Sequence, residues 1–225
     1  EDEIGLGSSH EGILVLDTDV PNGTPAAEYF QIQSDLVLEI GLTPNRADAA
    51  SHWGVARDIK AVSGLPISLP IIIPGKKSAQ QYPIQVDVQD DGCTRFCGIS
   101  IDGVQVGPSP EWLQERLLAI GLRPINNIVD ITNFICHGLG QPMHAYDWSQ
   151  IKGGKLIVKT AKPQSKFKTL DSVERTLTGE EIMIYDSEGP IGIAGVMGGE
   201  NSSIQPTTTR VFLEVAYFKP ERVRK

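Results

Sequence analysis

Leu156-Ile-Val-Lys159, Lys168-Thr-Leu-Asp-Ser-Val-Glu-Arg-Thr-Leu177, Ile182-Met-Ile-Tyr185, Ile191-Gly-Ile-Ala194 and Val211-Phe-Leu-Glu-Val215 decide the fold. Each run is short, rich in β-branched or aromatic residues and bounded by Gly, Pro, Asp or Ser, which reads as a strand. The 168–177 stretch has the polar centre of a hairpin. Few helical patterns separate these runs, so the spacing predicts an α+β fold with mixed or antiparallel sheets and flanking helices, not a doubly wound parallel sheet. Towards the N-terminus, Ile84-Gln-Val-Asp-Val88 alternates as a half-buried strand does, and Phe96 to Val106 supplies another. Between them and the later strands lies a helix: Ser109 as cap, Pro110 at its first position, Leu113, Leu117 and Ile120 on one face, and Gly121 at its end.

Residues 66–82 contain Pro66, Pro70 and Pro74 and then a polar tract, which marks a linker. Residues 1–65 before it read as a small partial helical domain. An irregular start leads to a short strand at Gly12–Leu16, a turn at Pro21-Asn-Gly23 and a strand-like Asp35–Ile40. A helix follows with Val55, Ile59 and Val62 in register, Asp48 as its cap and Gly64 then Pro66 as its stop. Residues 83–225 form the main module.

The 225 residues are 40% hydrophobic and carry a net charge of −8. That composition supports a packed core and speaks against a broad electrostatic grip on nucleic acid, which needs clustered Lys and Arg. Two local basic clusters stand out, Lys152 to Lys168 and Arg222, Arg224, Lys225. The first reads either as the solvated face of a sheet or as a contact for an RNA backbone. No apolar run approaches the roughly 20 residues that span a bilayer, and the acidic start Glu1-Asp-Glu is unlike a signal peptide, so a cytoplasmic location without membrane contact is expected. Cys93, Cys97 and Cys136 form no Cys-x-x-Cys pair, so reduced, partly buried thiols are expected, with no metal site.

The polar chemistry concentrates in Arg123-Pro-Ile-Asn-Asn-Ile-Val-Asp-Ile-Thr-Asn-Phe-Ile135 and Gly140-Gln-Pro-Met-His-Ala-Tyr-Asp147, a segment read as lacking a helical period. Amides, carboxylates and an imidazole among apolar residues must find partners or a ligand. His144 is either a satisfied core histidine or a group that orients water or acts as a general base. As a base it would lose activity as pH falls through its pKa, with a fall above about pH 5. Glu214 lies in the apolar run Val211–Phe218, where its carboxylate needs a donor. It is either half of a buried pair with an arginine or a carboxylate that reads a ligand hydroxyl or amine. Gly192-Ile-Ala-Gly-Val-Met-Gly-Gly199 matches no phosphate-binding fingerprint and reads as a strand-end turn or a backbone-lined pocket wall. A Gly-x-Ser-x-Gly elbow is absent, so a serine nucleophile has no support.

Leu42-Thr-Pro-Asn-Arg-Ala-Asp48, Arg123-Pro-Ile-Asn-Asn127, Val129-Asp-Ile-Thr-Asn133, Gln141-Pro-Met-His144, Thr169-Leu-Asp171, Ala194-Gly-Val-Met-Gly-Gly199 and Leu213-Glu-Val-Ala216 together resemble the β subunit of bacterial phenylalanyl-tRNA synthetase. The resemblance covers almost the whole chain and implies a fragment: in that family further domains precede and follow, and the continuation after Lys225 contributes to the pocket. It implies that residues 83–225 are an editing module that hydrolyses tyrosyl-tRNA(Phe) in support of phenylalanine ligation. His144, Asn133 and Thr132 would then position the attacking water, Glu214 and Gly195 would recognise the phenol, and Pro142 and Met143 would line the substrate site. The resemblance also implies tRNA(Phe) and the α subunit as partners in an α2β2 heterotetramer. It implies no cofactor in this fragment, with ATP and magnesium at the ligation site of the α subunit. A non-catalytic scaffold for tRNA or subunit binding is the alternative.

Overall fold

The computed structural model describes residues 12–30 and 35–224. It divides into two compact units, Glu1–Leu38 and Glu39–Lys225. In the first unit Pro21 O accepts from Thr24 N at 3.2 Å and from Thr24 Oγ1 at 2.8 Å, which closes the turn at Pro21-Asn-Gly23, and a single helical turn α1 (Ala26–Tyr29) follows. The irregular start expected before Gly12 lies outside the described residues. Neither Gly12–Leu16 nor Asp35–Ile40 forms a strand: both are exposed, and among the described residues no neighbouring strand takes up their backbone groups.

In the second unit helix α2 (His52–Ser63) begins one turn later than Asp48 predicts. Its cap is Ser51, whose side chain accepts from Gly54 N at 3.0 Å, while Asp48 lies in a preceding 3₁₀ turn and pairs with Arg46. Gly64 ends the helix in the left-handed conformation (φ 72°). Residues 65–82 form no helix or strand, yet contacts pass across them, since α2 packs against a later helix and His52 Nδ1 hydrogen-bonds the His137 carbonyl at 2.9 Å.

Two sheets build the body. One has five strands in the order β1 (Gln85–Val88), β4 (Lys155–Thr160), β7 (Ile182–Tyr185), β8 (Pro190–Ile193) and β9 (Met197–Gly198). β1 runs parallel to β4 and the remaining pairs are antiparallel. The other sheet has β10 (Arg210–Phe218) at its centre, flanked by antiparallel β2 (Cys93–Asp102) and β3 (His144–Asp147). The fold is therefore α+β with a mixed and an antiparallel sheet.

Alternation explains the packing. Tyr146 and Phe212 point from the three-stranded sheet towards Leu156, Val158, Ile184 and Ile191 of the five-stranded one, forming the main core. On the opposite face of the five-stranded sheet, Met183 and Tyr185 pack with Phe167 and Leu177 around the β5 (Lys166–Lys168) and β6 (Glu174–Thr176) hairpin. Covered on both faces, β7 is buried at every position, which is why its sequence is uniformly apolar.

Helix α3 (Glu111–Ala119) follows Pro110, and Ser109 does not cap it. The Ser109 hydroxyl donates to Asp130 Oδ2 at 2.5 Å. Asp130 sits in α4 (Asn127–Leu139), so the amide-rich segment read as non-periodic is a helix. Asn126 caps it by accepting from Ile128 N and Val129 N, and Gly140 (φ 82°) closes it. Its fully buried Asp130 also accepts from Ile125 N at 2.9 Å, so the carboxylate ties the approaches to both helices together. Among the described residues no helix is long and apolar enough to cross a membrane.

Candidate functional site

β3 and β10 pair with His144 opposite Glu214 and Tyr146 opposite Phe212. Directly opposed residues in an antiparallel pair share a face, so the imidazole, the carboxylate and the phenol project to one side. That side opens into a cavity of about 730 Å³. Its other walls are the 140–143 loop before β3, the segment 195–198 made of the turn after β8 and β9 itself, and the short helix α5 (Pro220–Val223) with Arg224 after it.

Pro142, Met143, His144, Gly195 and Glu214 all line this cavity, so the structure brings these five predicted residues together. Thr132 and Asn133 are not in its wall: they lie on α4, where the Thr132 hydroxyl donates to the Val129 carbonyl at 2.7 Å within its own helix. One neighbour had no role in the sequence reading, Tyr146, whose signal was the period of two in His144–Asp147, legible only once that segment is known to be a strand. Gly198 lies in the glycine-rich run for which a pocket wall was one of the two readings.

Glu214 is 5% exposed and accepts a hydrogen bond from the Tyr146 hydroxyl at 2.6 Å. Its buried donor is therefore a phenol and not the arginine the sequence suggested. Burial pushes the Glu214 carboxyl up to about 7, against the smaller opposing pull of the Tyr146 hydrogen bond. His144 packs edge to face on Tyr146, with ring centroids 4.4 Å apart, and its Nε2 is buried with no partner. Burial pulls its pKa down to about 4, so the imidazole is neutral near pH 7 and can accept a hydrogen bond.

These two shifts have opposite consequences for stability. The raised Glu214 contributes stability that is complete below its ordinary value of 4.5 and is lost as pH rises through about 7. The depressed His144 contributes stability present above 6.5 and lost as pH falls through about 4. Glu214→Gln removes the first effect alone. Chemical denaturation should show the variant gaining on the wild type by up to about 3 kcal/mol between pH 4.5 and pH 8. A difference independent of pH would mean that Glu214 is ionised throughout that range in the folded protein.

The glycine turn is shaped around the same groups. A Cβ on Gly198 would stand 2.6 Å from His144 Nε2, so only glycine leaves the imidazole its place. Gly195 takes φ +69°, and a Cβ there would also come within 3.2 Å of Phe218. Gly198→Ala should displace the imidazole and cost about 1–3 kcal/mol of stability through overpacking. A midpoint of denaturation unchanged from wild type would contradict that close fit.

Basic residues are mostly committed elsewhere. Lys155, Lys166 and Lys168 pair with Asp87, Glu174 and Glu200, and Lys159 lies 4.5 Å above the Tyr185 ring. Arg222 pairs with the buried Asp90 at 3.0 Å, whereas Arg224 faces the cavity. The thiols are free, with Cys93 buried, Cys136 partly buried and Cys97 exposed.

The sequence pattern of the B3/4 domain matches residues 92–225, which contain the whole β3–β10 cavity wall. The chain belongs to the B3/4 domain family. The phenylalanine–tRNA ligase beta subunits of Porphyromonas gingivalis and Bacteroides fragilis are 49% and 48% identical to it over its full length. This B3/4 chain spans 28% of the length of those relatives. An N-terminal fragment of the phenylalanyl-tRNA synthetase beta-subunit from Pyrococcus horikoshii aligns with TM-score 0.46 and 22% identity, covering 79% of this chain and 54% of that one.

Proposed function

We propose that this B3/4 domain is the editing module of a phenylalanine–tRNA ligase β subunit and hydrolyses tyrosine esterified to tRNA(Phe). The observation that carries the reading is the buried Glu214 carboxylate in the wall of a cavity large enough for an aminoacyl group, directly across the strand pair from His144 in the same wall. A synthetic pocket for phenylalanine cannot strongly reject tyrosine, which only adds a hydroxyl, so discrimination there stays near a hundredfold. A second pocket built to bond that hydroxyl discriminates in the other direction, because phenylalanine leaves its polar group unpaired.

In this reading the substrate phenol donates to Glu214, with the ring between the glycine turn at 195–198 and the 142–143 loop. Water attacks the ester carbonyl carbon, the bond from that carbon to the ribose oxygen breaks, and the proton released by water ends on the departing ribose oxygen. Neutral His144, in the same cavity wall as Glu214, fixes the direction of the attacking water. Thr132 and Asn133 lie outside the cavity wall, and the step is assigned here to His144 and Glu214. The step uses neither ATP nor a metal ion, which the family resemblance assigns to ligation in the α subunit. The names of the relatives favour assembly with that subunit and with tRNA.

Deacylation by the complete α and β enzyme tests the reading. Tyrosyl-tRNA(Phe) should be hydrolysed much faster than phenylalanyl-tRNA(Phe). Binding of tRNA with no release of tyrosine would support a scaffold instead.

A further inference from the structure

The two oxygens of Glu214 are in different situations. Oε2 accepts the Tyr146 hydroxyl, whereas Oε1 has no hydrogen-bond partner among the described residues. Tyr146 is 1% exposed, and its ring is held edge on by His144 and tilted against Phe212. A phenylalanine would satisfy all of that packing. The hydroxyl therefore adds something beyond core filling, and its hydrogen-bond partner is the carboxylate at the cavity wall.

We infer that Tyr146 is a specificity-positioning residue: its hydroxyl occupies one oxygen of Glu214, so that the other alone faces the cavity and accepts a single phenolic donor from the ligand. This rests on the editing reading above. An ionised carboxylate only accepts, so a bare ring leaves it unpaired and is refused; a protonated carboxyl can donate elsewhere and tolerates a bare ring better. The internal phenol favours the ionised form against burial, which raises the Glu214 pKa to about 7.

The groups facing Glu214 leave it as the one among them that changes charge near neutrality. From β3 come His144, neutral above about pH 4, and Tyr146, whose hydroxyl burial and the Glu214 charge hold protonated. From β2 comes Cys93, whose thiol burial pushes up to about 11. Arg224 lies at the cavity edge.

The test is Tyr146→Phe in the complete α and β enzyme, with kcat/KM for tyrosyl- and phenylalanyl-tRNA(Phe) hydrolysis followed from pH 6 to pH 9. The ratio of tyrosyl to phenylalanyl hydrolysis should fall about 10-fold at pH 7, the worth of one hydrogen bond to a charged group, and recover towards pH 9. On a Glu214→Gln background the same substitution should leave the ratio unchanged. A fall in both esters by the same factor at every pH, or an undiminished effect on the Gln background, would mean a packing role and overturn the inference while leaving the editing reading intact. No hydrolysis of either ester by the wild type overturns both.

Discussion

Glu214→Ala in the complete enzyme should reduce the preference for tyrosyl over phenylalanyl ester about 100-fold, the scale of one charge-assisted hydrogen bond to the substrate. The loss should fall on the tyrosyl ester, because only its phenol has a donor for the missing carboxylate. Folding changes in two opposing ways: a desolvated carboxyl is removed, and the buried Tyr146 hydroxyl loses its acceptor. Steady-state deacylation with both esters separates the effects. Equal losses on the two would show that Glu214 supports the cavity without reading its occupant.

His144→Ala should slow hydrolysis of the tyrosyl ester by about 100-fold through loss of the group that directs water, the lower end of what a positioned proton acceptor contributes. Ligation of phenylalanine, assigned to the other subunit, should be unaffected. The pH profile separates orientation from base catalysis. Burial holds His144 neutral down to about pH 4, so the wild-type rate should show no inflection from this residue between pH 5 and pH 8. A fall in activity above about pH 5 would instead require an imidazole pKa near the ordinary value. An inflection near 6.5 that disappears in His144→Ala would contradict the buried, neutral ring.

The strands of the second unit were legible because each carries its own signal. Gln85–Val88 alternates, and Ile182–Tyr185 is apolar throughout because both faces of its sheet are covered. The strands expected before residue 41 do not form, since strand-like composition makes no sheet without a partner and none is present among the described residues. Helix α4 was missed because its polar residues looked like those of a loop. Asp130 is satisfied by Ser109 and Ile125 N, and Thr132 by a carbonyl one turn back. The Ser109 bond links residues 21 apart, which no local period reveals.

The site shows the same division. His144 and Glu214 drew attention as polar groups in apolar surroundings, and they meet across one strand pair. Of the two readings of Glu214, the arginine pair gives way to a Tyr146 donor 68 residues away, which the register of β3 on β10 alone brings to it. Thr132 and Asn133 entered through family resemblance, and the helix carrying them leaves them out of the cavity wall.

The most direct measurement is a crystal structure of the complete enzyme with a non-hydrolysable amide analogue of tyrosyl-adenosine. The phenol oxygen should lie within about 3 Å of Glu214 Oε1 with the scissile carbonyl on the His144 side of the cavity. A ring bound in the same cavity with its hydroxyl turned away from Glu214, or bound outside it, would contradict the account.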